Sequence, residues 1–536
     1  MKTTHRSKLM TAVRLFKRNS LLLVFVFATF IFHFRNLFEL GPTWDDWYYP
    51  ANFNLQIQEF KSDFNSFSTG YGLGGFTVIE ILARILSGNF GVNSEDSFEA
   101  MVIRRILLLA LSYFGALVTY NIVLNLGYSK QLAKCAAILL LTLPNWVGQA
   151  SINIKDLPVA VGMIMLADGF IRVSHLQHKK VSRTVKTLTL GELFLGFYIS
   201  FGTRFGLIVF IAVATVYILI RNRKRNRKRN GISNVSIFGA LTVSYFLLIP
   251  LNPVLLNPIV FLPKAIFGTL SLYQQSAGPV LTAGILVDGN NPPIWYLPTW
   301  TLAQMPVLHS ILLFISFLMI LISGVNSLRR SRKVSRIHQS GLPLFALLTL
   351  GPYLSAILLS PPLYDGDRQF IMAYPFFAFL MLVCINKIQK SITPIMADYL
   401  APALILASLV SPGIYLISST PFTYSFRNEM IVHPEDWEGD YMGVSLRRAA
   451  QSTQTVNLPL AHDFSDERWL VKWNQPSTSD ASNLSKDRFL YIATRRGLRD
   501  SIPDGCIELK HIDTIFLNRR NILSFVAVCN TEKVGS

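Results

Sequence analysis

Repeated apolar runs constrain this chain more than any other feature of its sequence. A helix needs ~20 predominantly apolar residues to cross ~30 Å of hydrocarbon, and stretches of that kind recur from residue 21 to residue 417. Of 536 residues, 51% are hydrophobic and only 15% are charged, with a mean hydropathy of +0.39. That balance is foreign to an ordinary soluble protein, so the expected class is a polytopic helical membrane protein. A net charge of +19 would point to nucleic acid in a soluble chain. Here the Lys and Arg residues gather in short segments between apolar runs, as cytoplasmic loops do, and no nucleic-acid partner is expected.

The topology follows from run length and charge. Lys2, Arg6, Lys8, Arg14, Lys17 and Arg18 precede an apolar run with no small-residue cleavage site after it, which reads as an uncleaved signal anchor with its N-terminus inside. Spans are expected at about 20–38, 103–126, 132–150, 158–174, two within 188–220, then 235–251, 305–325, 342–360, 370–386 and 395–417, eleven in all. The run 188–220 counts twice because its 33 residues would make a helix ~50 Å long. Both its flanks are basic, and Ser200-Phe-Gly202-Thr203-Arg204-Phe-Gly206 interrupts it, so Arg204 is expected at the outer tip of a hairpin. Inside segments then hold about 26 Lys and Arg against about five in the short external loops, which puts the C-terminus outside.

Residues 1–419 thus read as a transmembrane domain with external loops 39–101 and 252–304, and 420–536 as an exported polar domain. An amphipathic piece at 76–86 is expected to lie on the membrane surface. Segments 488–494 and 522–528 read as strands and 445–451 as a helix, which gives a small α/β domain serving as a cap or acceptor-binding module. Cys135 and Cys384 fall in apolar runs and read as core residues. Cys506 and Cys529 are free to pair if their segment is exported. No CxxC or His cluster offers metal ligation, and no internal repeat speaks for a transporter built from inverted halves.

The chemistry is expected near Gly41-Pro-Thr-Trp-Asp45-Asp46-Trp-Tyr-Tyr-Pro50. Adjacent carboxylates at the mouth of a span are costly unless they serve a purpose; the plain alternative is a solvated Asp turn. The expected topology places Asp45, Asp46, Lys155, Asp156, Arg204, Asp365 and Arg368 all on the external side, and this convergence favours a site.

Five patterns in chain order resemble the polyprenol-phosphate-sugar-dependent membrane glycosyltransferases of the GT-C fold. The subgroup most resembled is the bacterial relatives of the protein O-mannosyltransferases, family 39-like. The patterns are Asp45-Asp46; Asn153-Ile-Lys155-Asp156-Leu-Pro158; Gly202-Thr-Arg204-Phe-Gly206; Tyr296-Leu-Pro-Thr-Trp300; and Tyr364-Asp-Gly-Asp-Arg368-Gln-Phe370 with Asp440-Tyr441-Met-Gly443-Val-Ser445. Ile154, Met442 and Gln369 depart from the residues usual there, which bears on subgroup and substrate rather than on fold. The resemblance implies an all-α polytopic membrane bundle, GT-C-like, with a small C-terminal α/β extracytoplasmic domain, in a bacterial inner membrane.

It further implies transfer of a sugar from a polyprenyl-phosphate donor to an acceptor hydroxyl of a protein, lipid or glycan. An acceptor hydroxyl must lose its proton as the bond forms, and Asp45 is the expected base, with Asp46 orienting the acceptor or sharing the role. One base and a single displacement imply inversion. The leaving phosphate needs cationic donors: Arg204 is the first candidate, since Arg in an apolar run costs roughly 2.5–3.5 kcal/mol at mid-span, although snorkelling lowers that at a tip. Lys155 and Arg368 are second candidates, and Asp156 is counted with them among the substrate-binding residues; the plain reading is juxtamembrane anchoring for both cations and, for Lys155, pairing with Asp156. No cofactor is expected; a divalent metal beside Asp45 and Asp46 stays open, though two adjacent carboxylates without a third ligand argue for it only weakly. Competing classes are a flippase or transporter of lipid-linked sugars, and a silent accessory subunit or receptor.

Overall fold

A computed structural model of the chain describes isolated residues between 27 and 54, then 72–88, 98–176, 181–223, 232–271, 279–329, 338–391, 394–440, 443–452, parts of 458–462, 488–495, 502 and 505–530. Most of the expected first span, the basic segments 177–180, 224–231 and 330–337, and Tyr441 and Met442 lie outside the described residues.

Helix α5 (Asp156–Leu176) is the axis of the bundle, with 94% of its apolar window buried. A helix apolar on all sides belongs inside. Asn153 sets its start, accepting at Oδ1 from the Asp156 N–H at 2.8 Å and the Lys155 N–H at 3.3 Å. Asp156 then places a carboxylate in the positive first turn, and Pro158 follows where a missing N–H costs nothing. Helix α6 (Arg183–Thr203) approaches α5 through Gly162 and Gly196. A Cβ on Gly162 would stand 2.9 Å from the Ser200 nitrogen, and one on Gly196 2.8 Å from the Gly162 oxygen. Small residues permit this approach where lipid supplies no hydrophobic drive between helices. The amphipathic helix α1 (Gly74–Ser87), α2 (Phe98–Asn125) and α12 (His338–Leu359) complete the wall around α5.

The chain is mostly helical, and five of its described helices are long and apolar enough to cross a membrane. They are α2, α5, the stretch Asn234–Leu251 that begins with α8 (Asn234–Leu248), the stretch Gly341–Leu359 of α12, and the stretch Arg368–Ser391 that ends with α13 (Tyr374–Ser391). Shorter apolar stretches lie in α7 (Ile208–Arg223), α11 (Val307–Arg329) and α14 (Pro394–Ser418). This is an integral membrane protein, but eleven crossings are not reached among the described residues.

Two expectations change. The segment 132–150 is not one span: α3 (Lys130–Leu141) stops, and α4 (Pro144–Ala150) starts anew. Pro144 brings no N–H to the helical ladder, and Leu143 before it is extended at ψ 114°. The segment 252–304 is not a plain loop either. It holds α9 (Pro258–Ser271), a hairpin of β1 (Val280–Thr282) and β2 (Ile285–Val287), and α10 (Tyr296–Ala303). The run 188–220 does break at Arg204, whose extended backbone (φ −132°, ψ 97°) divides α6 from a 3-10 turn and α7.

Beyond α14 come α15 (Leu446–Gln451) and a mixed sheet of β3 (Leu460–His462), β4 (Arg488–Thr494), β5 (Cys506–Phe516) and β6 (Arg519–Asn530). Its order is β3-β4-β6-β5, with β3 parallel to β4 and the other pairs antiparallel. Cys506 and Cys529 face each other across β5 and β6 and form a disulfide, their Cα atoms 4.0 Å apart. Cys384 is buried and Cys135 half-buried. The two parts share a core: Leu40 and Ile152 pack with Phe422, Tyr424, Val444 and Val526. Gly41 donates its N–H to the Val444 oxygen at 3.0 Å, and a Cβ there would stand 2.8 Å from that oxygen. Glycine therefore lets the acidic loop lie directly against the C-terminal domain.

Candidate active site

Six of the charged side chains singled out from the sequence meet in one network. Asp45 accepts from Lys155 Nζ at Oδ1, 3.1 Å away, and from Arg368 Nη1 at Oδ2, 3.4 Å away. Arg368 Nη2 donates to Asp365 Oδ2 at 2.5 Å, and Nη1 stands 4.0 Å from Asp156 Oδ2. Asp156 Oδ1 in turn is paired with Arg204, and its Oδ2 accepts from Asn153 Nδ2 at 3.0 Å. Three carboxylates thus face three cations. Removing charges from water is tolerable only with such pairing and with hydrogen bonds to the remaining lone pairs. Asp156 is fully buried, whereas the side chains of Asp45 and Arg204 are each 10% exposed.

The two adjacent acids have different partners. Asp46 turns away from Asp45's network: its Oδ2 accepts from Arg105 Nη2 at 2.7 Å, from the Thr43 N–H at 2.8 Å and from the Thr43 hydroxyl at 3.1 Å. Arg105, with no exposed surface, also donates to the Leu40 oxygen at 3.1 Å and the Gly41 oxygen at 2.5 Å. One guanidinium on α2 thereby pins the loop that carries Asp45. Its neighbour Arg104 bonds Glu80 on α1 at 3.0 Å, and Glu80 also holds Arg84 at 2.6 Å. Consecutive arginines in an apolar helix are costly, and here each is matched by a buried carboxylate.

Arg368 owes its position to the turn before it. Asp365 and Gly366 both have left-handed backbones (φ 58° and 72°), a conformation open to Gly and tolerated by Asp. Asp367 anchors the turn from below, accepting from Asn145 Nδ2 at 2.6 Å, the Thr301 hydroxyl at 2.8 Å and the Tyr374 hydroxyl at 2.8 Å. Burial holds its carboxyl above the usual carboxylate range, and those three bonds oppose that shift. Trp300 covers the turn from above and stands edge-on to Trp437 at 5.0 Å, with the Arg427 guanidinium 4.7 Å from its ring centre. Tyr296 and Trp300 are thus wholly buried. Their hydrophobic bulk goes into joining the turn to the C-terminal domain.

Lys155 reaches Asp45, and the cation bonded to Asp156 is Arg204, which replaces the simple Lys155–Asp156 pairing. Asp440 caps the C-terminal helix region, accepting from the Gly443 and Ser445 N–H groups at 2.8 Å each. Sequence reasoning gave no role to Arg105, Asp367 or Asn145. Arg104 and Arg105 did carry a signal, as two charges inside an apolar helix, but nothing local says which acid each one meets.

No family model and no curated protein match this chain. Among solved structures it is similar to ArnT from Cupriavidus metallidurans, both bound to undecaprenyl phosphate and in the apo state. The likeness covers 95% of this chain and 98% of that one, at 10% identity and a TM-score of 0.47. It is also similar to the Archaeoglobus fulgidus oligosaccharyltransferase in the apo form, over 84% of this chain and 60% of that one, at 11% identity and a TM-score of 0.43.

Proposed function

We propose that this protein is a membrane glycosyltransferase that moves a sugar from a polyprenyl-phosphate donor to an acceptor hydroxyl on the extracytoplasmic side, with inversion at the anomeric carbon. The observation that carries the reading is the balanced network of Asp45, Asp156 and Asp365 with Lys155, Arg204 and Arg368. A lipid phosphate entering it brings negative charge to cations already held by carboxylates. Lys155 and Arg368 then divide their attraction between the phosphate and Asp45, and Asp45 becomes the better base as its ion pairs loosen. Donor binding would in this way switch on the group that deprotonates the acceptor. As the glycosidic bond breaks, charge grows on the leaving phosphate, and Arg204 and Arg368 stabilise it where little water competes.

Asp45 is the most open carboxylate of the network, whereas Asp156 has no exposed surface. A second, nucleophilic carboxylate would be needed for retention, so a single displacement fits this arrangement better. The Cys506–Cys529 disulfide supports an oxidising, exported setting for the C-terminal domain. Mass spectrometry of surface glycans, lipids and glycoproteins from cells with and without this chain tests the proposal. Loss of one sugar from one acceptor class is expected; identical profiles would contradict it.

A further inference from the structure

Several exposed apolar side chains of the C-terminal domain lie together rather than scattered. Met430 is 73% exposed, Val432 63%, Ile515 47% and Leu517 50%. Arg519 ties the two segments together, donating from Nη1 to the Glu429 oxygen at 2.5 Å and to the Ile431 oxygen at 2.7 Å. Between Ile515 and Leu517, Phe516 turns inward onto Tyr415 of α14, ring centres 5.3 Å apart. Glu429 accepts from the N–H of Val307, the first residue of α11, at 2.9 Å. The patch therefore stands at the ends of α11 and α14, which touch each other.

Both helices present apolar stripes outward. Ile311 and Phe314 are exposed on α11, and Val410, Ile414 and Ile417 on α14, at the three- and four-residue spacing of one helical face. In an integral membrane protein such stripes meet lipid, and the patch continues them past the helix ends. The hairpin tip adds an independent sign. Leu517 and Asn518 both have left-handed backbones (φ 50° and 61°), as a two-residue hairpin turn requires. Asn suits that conformation, whereas Leu adopts it against its steric preference and is left half exposed.

We propose that this patch is a membrane foot: the β5–β6 tip at Leu517, with Met430 and Val432, enters the interfacial layer of the bilayer and seats the C-terminal domain over the bundle. A large apolar side chain at a turn is wasteful in water but gains where it leaves water for acyl chains. The foot does not depend on the reaction proposed above.

The test uses the full chain, with Cys135 and Cys384 replaced by Ser, one copy per nanodisc of mixed phosphatidylcholine and phosphatidylglycerol. Spin labels are placed at Leu517→Cys, at Met430→Cys, and at Leu509→Cys, which lies on β5 roughly 25 Å back from the tip. Labels at 517 and 430 are expected to collide more with oxygen than with a water-soluble nickel chelate, and the label at 509 the reverse. Nickel access at 517 and 430 equal to that at 509 would overturn the foot. That result would leave a second copy or another protein as the partner of the patch, since neither is present in a single-copy disc. Positions 517 and 430 lie on different segments, so failure of one variant to fold leaves the other to decide.

Discussion

Asp45→Asn is expected to lower sugar transfer by about 10²–10⁴-fold, the usual contribution of a positioned general base, while the purified protein still binds donor lipid. The amide keeps the shape of the carboxylate and can still accept from Lys155 or Arg368, so the fold should hold. It cannot take a proton from an acceptor hydroxyl. Removing one negative charge also leaves the three cations in excess, so affinity for a phosphate should hold or rise rather than fall. A rate assay with donor and acceptor, run beside a donor-binding measurement, separates these effects. Undiminished transfer would remove Asp45 as base; loss of donor binding together with transfer would make its role structural.

The adjacent acid should behave differently. Asp46 is bonded to Arg105 and Thr43 and takes no part in the network around Asp45. Asp46→Asn is expected to slow transfer without abolishing it, because the amide still accepts from Arg105 and keeps the loop near its place. Arg105→Ala is expected to be far more damaging: it removes the cation paired with a buried carboxylate and a donor to each of two backbone oxygens. Breaking a buried pair by removing one partner costs about 3–5 kcal/mol, which should appear as a clear fall in the melting temperature in detergent. Transfer abolished in Asp46→Asn with unchanged stability would instead assign the base to Asp46.

The sequence yielded most where a residue type is expensive in its surroundings. Asp45, Arg204 and Arg368 drew notice because charge beside apolar runs needs a reason, and the structure brings all three into one network. The break at Arg204 and the strands β4 and β6 were legible from run length and alternation. What stayed hidden was pairing over long separation. Nothing near Arg105 announces a bond to Asp46, 59 residues earlier, nor does Asn145 reveal Asp367, 222 residues later. The burial of Tyr296 and Trp300 was hidden for a related reason. Aromatic residues beside a span suit the membrane interface and a buried joint equally well, and only the position of Arg427 and Trp437 decides between them.

Six side chains from distant parts of the chain are proposed to form a receptacle for a lipid phosphate. Equilibrium binding of a polyprenyl phosphate and of the matching polyprenyl alcohol to the purified protein in detergent tests it most directly, with Arg204→Ala alongside. The phosphate should bind, the alcohol should bind far more weakly, and Arg204→Ala should lose most of the difference between them. Equal binding of phosphate and alcohol, unaltered by the substitution, would contradict the account.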